Sequence, residues 1–123
     1  MEQLLTHLVG DYILQSHDMA LNKTKSNWWA LYHGITYTSP FIFLTNDIVK
    51  LLIILITHCL IDRFRLAVYL VQLKNYLLGT FDKSIFSTSN GYPESTPIWL
   101  STWLVIIADN TLHLVINYLT LRS

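Results

Sequence analysis

What this chain has least of is charge. Only 13% of its residues are Asp, Glu, Lys or Arg, about half the share of an ordinary soluble domain. Eight basic residues balance eight acidic ones, so no basic surface is available for nucleic acid and no acidic tail to solvate the chain. A single cysteine, Cys59, excludes an internal disulfide framework and any cysteine-rich zinc ribbon, so a metal would have to be held by histidine and carboxylate. Neither a Gly-x-Ser-x-Gly elbow nor a glycine-rich phosphate loop is present, and no internal repeat or low-complexity segment is found. Apolar residues make up 52% of the chain, with four Trp, seven Tyr and five Phe. Such a chain packs rather than remaining disordered, and its imbalance points to a bilayer.

Apolar stretches cover residues 4–16, 28–45, 48–61 and 98–121. They predict one all-α membrane domain over residues 1–123, polytopic, with about four transmembrane helices, the first of them short. The third continues as an amphipathic pattern through Phe64, Leu66, Val68, Tyr69, Val71, Leu73, Tyr76 and Leu77, expected to run along the membrane surface as an extension of the same helix. Stretch 4–16 is not expected to be a secretory signal, because it carries His7 and Asp11 and lacks a basic start and a cleavage site. Asn46 or Asp47 can cap the third helix, and Thr96-Pro97 suits the start of the fourth. Pro40 should kink the second helix, and residues 87–96 read as a polar loop.

Lys23, Lys25, Arg63, Arg65, Lys74 and Lys83 fall on one side of the expected bilayer, with only Lys50 and Arg122 on the other. Positive charge marks the cytoplasmic side, so both termini are expected outside and both longer loops inside. Trp28, Trp29, Trp99 and Trp103 suit either interfacial belts or ordinary packing.

Inside these apolar stretches lie three His/Asp pairs at four-residue spacing: His7 with Asp11, His58 with Asp62, and Asp109 with His113. His33 sits in the second stretch, and only His17 falls in a loop. Residues four apart share a helix face, and each ionisable group at membrane depth costs a few kcal/mol unless it is paired or coordinated. Two such side chains converge beside the helix, and imidazole nitrogen with carboxylate oxygen suits zinc, manganese or iron. His7, Asp11, His33, His58, Asp62, Asp109 and His113 are therefore the candidate ligands. They suffice for two bridged ions, or for one ion with outer groups that orient its ligands. The same groups could instead form a proton or ion relay, or pack as polar contacts between helices. Asp109 lies about 18 Å along a helix from Pro97, so the fourth helix is expected to begin well outside the bilayer.

Other polar positions carry less. Gln15, one turn beyond Asp11, could support the ligands. Asp18, Lys23 and Lys25 could form a rim that meets an anionic substrate, but solvated loop charge accounts for them more simply. Arg63 and Arg65 suit anchoring at lipid phosphates. Cys59, about 100° around the helix from His58, reads as a small buried apolar group.

The ordered set His7-Leu-Val-Gly-Asp11-Tyr-Ile-Leu-Gln15, Met19-Ala, Lys23 to Lys25, His33, Thr57-His58-Cys-Leu-Ile-Asp62-Arg63 and Asp109-Asn-Thr-Leu-His113 resembles domain-of-unknown-function family 3307, small bacterial and phage membrane proteins. The likeness covers nearly the whole chain, with Asn110 standing where the family pattern tends to have Gln. It implies membrane location, such as the bacterial inner membrane, and a shared polar site. It is distantly similar to membrane-bound metal-dependent hydrolases.

These observations lead to the expectation of a His/Asp site opening to the cytoplasm and holding one or two divalent ions, zinc first. The expected activity is metal-dependent hydrolysis of a lipid-like or phosphorylated ester, with Asp11 or Asp109 as general base. Ion or proton transport, and partner binding as a non-catalytic membrane factor, are the alternatives. The lipid bilayer is the expected partner.

Overall fold

The computed structural model describes residues 1–80 and 89–123. Helix α1 spans Glu2–Leu8 and runs into a π-helical turn, Val9–Ile13. Helix α2 is His17–Asn22, and α3 is Asn27–Thr38 followed by a 3-10 turn, Ser39–Phe43. Then come α4, Ile48–Phe64, and α5, Leu66–Asn75, with a second π turn over Tyr76–Thr80. The last is α6, Ile98–Arg122. Lys83, and Ser87 at the start of the expected polar loop, lie outside the described residues.

The all-helical expectation holds, but the expected four membrane spans do not. Among the described residues only α6, with 25 residues, is long and apolar enough to cross a membrane. Helix α1 has 7 residues, and α3 stops at 12, about 18 Å of rise. The reason for the second shortfall is Pro40. It does not kink a continuing helix; it lies in the first turn of the 3-10 segment that ends α3, because proline cannot donate the backbone bond that α-helical continuation requires. Helix α4 has 17 residues and ends at a break. Arg65 takes a left-handed conformation, φ 52°, which costs about 1 kcal/mol or more for a residue with a Cβ. The expected amphipathic extension of the third helix is thus a separate helix, α5.

One expected cap is observed, and one further cap is found. Asp47 caps α4, its Oδ1 accepting from the Val49 and Lys50 amides at 2.9 and 3.4 Å. Ser16 caps α2 by accepting from the Met19 amide at 3.3 Å, a cap the sequence reading had not named.

The chain divides into two compact units. The first comprises Met1–Phe64 and His113–Ser123. Its apolar core is small: Tyr37, Phe41 and Ile54, with Leu44, Leu51 and Leu121 packed on them. Two glycines allow its helices to approach. A Cβ on Gly10 would lie 2.6 Å from the Tyr37 ring, and one on Gly34 would collide with Cys59 Sγ. Cys59 is accordingly a small packing group, its thiol donating to the Ala30 carbonyl at 3.4 Å. The second unit is Arg65–Leu112. There Asn75 Nδ2 donates to the Gly91 carbonyl at 3.0 Å, and Asn90 Nδ2 to Ser101 Oγ at 3.1 Å, fixing the turn before α6.

Polarity in the first unit is arranged inside out. His7, Asp11, His33, His58, Asp62, His113 and Asn117 are buried, while Ile13, Phe43 and Val49 are exposed. Trp28, Trp99 and Trp103 are exposed as well, so they are not core aromatics.

Candidate metal centre

Four elements of the first unit supply the central residues and His113. The π turn carries Asp11, α3 carries His33, α4 carries both His58 and Asp62, and the end of α6 carries His113. A π turn widens the backbone locally and recurs at functional sites; here Gly10 lets it seat against Tyr37, which brings the adjoining Asp11 to α3.

Four atoms converge: Asp11 Oδ1, His33 Nε2, His58 Nε2 and Asp62 Oδ2, all within 4.8 Å of one another. His33 Nε2 lies 3.2 Å from each carboxylate oxygen and 3.0 Å from His58 Nε2. His58 Nε2 lies 3.5 Å from Asp11 Oδ1 and 3.2 Å from Asp62 Oδ2. A tetrahedral zinc ion with nitrogen and oxygen ligands near 2.0–2.1 Å would hold its ligand atoms about 3.3 Å apart. These five separations match five of the six edges of such a tetrahedron, and the sixth lies within 4.8 Å, so the donor set suits a small divalent ion in size and in chemistry.

The second oxygen of each carboxylate points outward to a further imidazole. Asp11 Oδ2 is 3.4 Å from His7 Nδ1, and Asp62 Oδ1 is 3.4 Å from His113 Nε2. His7 Nδ1 also meets the Tyr37 hydroxyl at 2.8 Å, and that hydroxyl accepts from Asn117 Nδ2 at 2.6 Å. His113 Nδ1 lies 3.2 Å from His58 Nδ1. Six of the seven candidate residues therefore divide into four whose atoms meet at the centre and two, His7 and His113, that hold the carboxylates from outside. Asp109 belongs to the second unit and is half-buried on α6, one turn before His113. Gln15 lies beyond the end of the π turn, half-buried, and its Oε1 has no hydrogen-bond partner among the described residues. His17 is exposed at the start of α2.

Electrostatics follow from this packing. Burial alone would raise the Asp62 carboxyl, but hydrogen bonds from His113, His33 and His58 outweigh it and hold the group well below the usual carboxylate range. Asp11 is likewise lowered, the pull of His33, His58 and Lys23 exceeding the effect of burial. Burial dominates at His58 and pushes its imidazole down to about 4. Burial also acts against the charged form of His33, yet bonds to Asp11 and Asp62 raise its pKa overall. Two deprotonated carboxylates and a neutral His58 are the states a metal requires of its ligands.

Sequence reasoning left two residues out of the site and misplaced a third. Tyr37 and Asn117 stand four residues after His33 and His113, the same spacing that marked the His/Asp pairs, so a wider choice of polar partner would have found them. Lys23 carried no such signal. It is not a solvated rim charge: its ammonium lies 2.9 Å from Asp62 Oδ2 and 3.4 Å from His33 Nε2.

Compared with known proteins, residues 1–121 match the family described as "Protein of unknown function (DUF3307)". No curated protein and no solved structure matches the chain.

Proposed function

The chain belongs to that family, and from this footing we propose that it is a membrane-held, metal-dependent hydrolase whose centre is formed by Asp11, His33, His58 and Asp62. The observation that carries the reading is the set of five ligand-atom separations between 3.0 and 3.5 Å. A bound divalent ion supplies Lewis-acid polarisation of a phosphoryl or acyl oxygen and lowers the pKa of water.

Four protein ligands close a tetrahedral site, whereas hydrolysis requires an open position. Asp11 is the residue suited to yield. Its oxygen makes the longest of the five separations, 3.5 Å to His58, and its other oxygen is already held by His7. Withdrawn toward His7, the Asp11 carboxylate would take a proton from the attacking water as general base and return it to the departing ester oxygen, while His33, His58 and Asp62 would hold the ion. Support for a lipid setting comes from the apolar exterior of the first unit around a polar interior and from α6, which would cross the bilayer. A lipid-like phosphoester or ester follows as the substrate class.

Elemental analysis of protein extracted in mild detergent tests the centre. One equivalent of a divalent transition ion is expected, lost in Asp62→Asn and retained in His17→Ala. Chelator-sensitive turnover of a phosphoester or ester tests the reaction. Equal metal content in the wild type and Asp62→Asn would remove the centre.

A second reading, a proton relay, draws on one observation: polar groups continue past the centre through Tyr37 to the buried Asn117 and Thr120. Under that reading, reconstituted vesicles would dissipate a proton gradient, Asn117→Leu would stop it, and no ester would be turned over. An intact gradient would leave hydrolysis as the reading.

A further inference from the structure

We infer that Lys23 is a built-in cation that occupies the centre while metal is absent and swings away from it when a divalent ion enters. This rests on the metal reading above. Lys23 closes the C-terminus of α2, its amide donating to the Met19 carbonyl at 2.9 Å. From there the side chain reaches inward until Nζ lies 2.9 Å from Asp62 Oδ2 and 3.4 Å from His33 Nε2. These are two of the four atoms that would ligate the ion. The Asp62 side chain is 3% exposed and that of Lys23 18%, so the ammonium is inserted from the solvent side over a carboxylate that solvent scarcely reaches.

Two buried carboxylates are costly unless positive charge compensates both of them, and one imidazole between them can balance only one. The ammonium supplies one positive charge to the pair when no ion is bound. A divalent ion needs the lone pair of His33 Nε2 and the charge of Asp62, and its own charge repels an ammonium on the same oxygen. The two cations therefore compete for one place.

The backbone that bears Lys23 is fixed independently. Arg63, next to Asp62 in sequence, donates from Nη1 to the Thr24 carbonyl at 2.6 Å and from Nε to Asn27 Oδ1 at 2.7 Å. The residues that follow Lys23 are thus held to α4, and the exchange needs only rotation of the four-carbon Lys23 stem. Lys25, in the same turn, is exposed and serves as the internal control.

Zinc affinity is read by competition with a fluorescent chelator on detergent-purified wild type, Lys23→Met, Lys23→Gln and Lys25→Met. Removing the competing cation should tighten zinc binding about tenfold or more in both Lys23 variants, with Lys25→Met unchanged. Reductive methylation of the wild type alone, read by mass spectrometry, avoids any dependence on how the variants fold. Lys23 should react slowly in the metal-free protein and several times faster once zinc is loaded, while Lys25 reacts equally in both. Unchanged or weaker zinc binding in both Lys23 variants, or Lys23 reactivity that does not rise with zinc, overturns the exchange and leaves the metal centre standing. Absence of zinc binding in every protein, wild type included, overturns the centre and the exchange together.

Discussion

The imidazole of His58 lies flat on the phenol ring of Tyr37, centroids 3.5 Å apart and planes within 9°. The stack fixes the plane of the imidazole, and hence the direction of Nε2, while the Tyr37 hydroxyl reaches past it to His7 and Asn117. One aromatic side chain therefore orients a central nitrogen by its face and an outer imidazole by its oxygen.

Tyr37→Phe separates these two roles. It keeps the stack but withdraws the hydroxyl from two buried partners, which should cost about 1–3 kcal/mol. Thermal unfolding in detergent should shift down by several degrees, with metal still bound. An unchanged midpoint would mean that the His7 and Asn117 contacts contribute nothing to stability.

The outer imidazoles should tune the metal rather than hold it. Loss of groups that orient ligands typically costs 10–100-fold in affinity, so His7→Ala and His113→Ala should each weaken zinc by about that factor. His58→Ala should abolish binding at the same concentrations. If His7→Ala abolished binding as well, His7 would have to be counted among the ligands.

Metal uptake should release one proton at any pH below the raised pKa of His33. His33 keeps its proton above the ordinary imidazole value of 6.5, held by Asp11 and Asp62, whereas His58, pushed down to about 4, is already neutral. The sign follows directly: below the raised pKa of His33 the ion must displace a proton, so affinity falls about tenfold per pH unit as pH drops, and above it affinity levels off. Calorimetry in buffers of different ionisation enthalpy, between pH 5 and 8, reads the count. Two protons, or none, at a pH below the ordinary imidazole value of 6.5 would contradict this assignment.

Gly34→Ala should be poorly tolerated, because its Cβ would meet Cys59 Sγ and lie 3.0 Å from Leu55 Cδ1. Overpacking of this kind costs about 1–3 kcal/mol and would push α3 from α4, separating His33 from His58. Both the unfolding midpoint and zinc affinity should fall, and Cys59→Ala in the same chain should recover part of each. Wild-type behaviour of Gly34→Ala would show that the two helices have slack.

Sequence alone determined the features that depend on neighbours within one helix. The four-residue spacing of His7 with Asp11 and His58 with Asp62 places each pair on one helical face whatever surrounds it, and the Asp47 cap and the long apolar α6 follow from equally local chemistry. Tertiary structure decided the rest. The number of membrane-length helices turned on where elements stop, at Pro40 and at the left-handed Arg65, and apolar composition does not record such stops. The division of the histidines into central and outer ones depended on which oxygen of Asp11 and of Asp62 each imidazole meets. Lys23 reaches the centre from a turn that Arg63 holds to α4, a contact between residues nearly forty positions apart. Spacing along a helix fixes direction within one turn, whereas convergence between helices is set by packing, through Gly10 and Gly34, where the absence of a side chain lets the backbones approach.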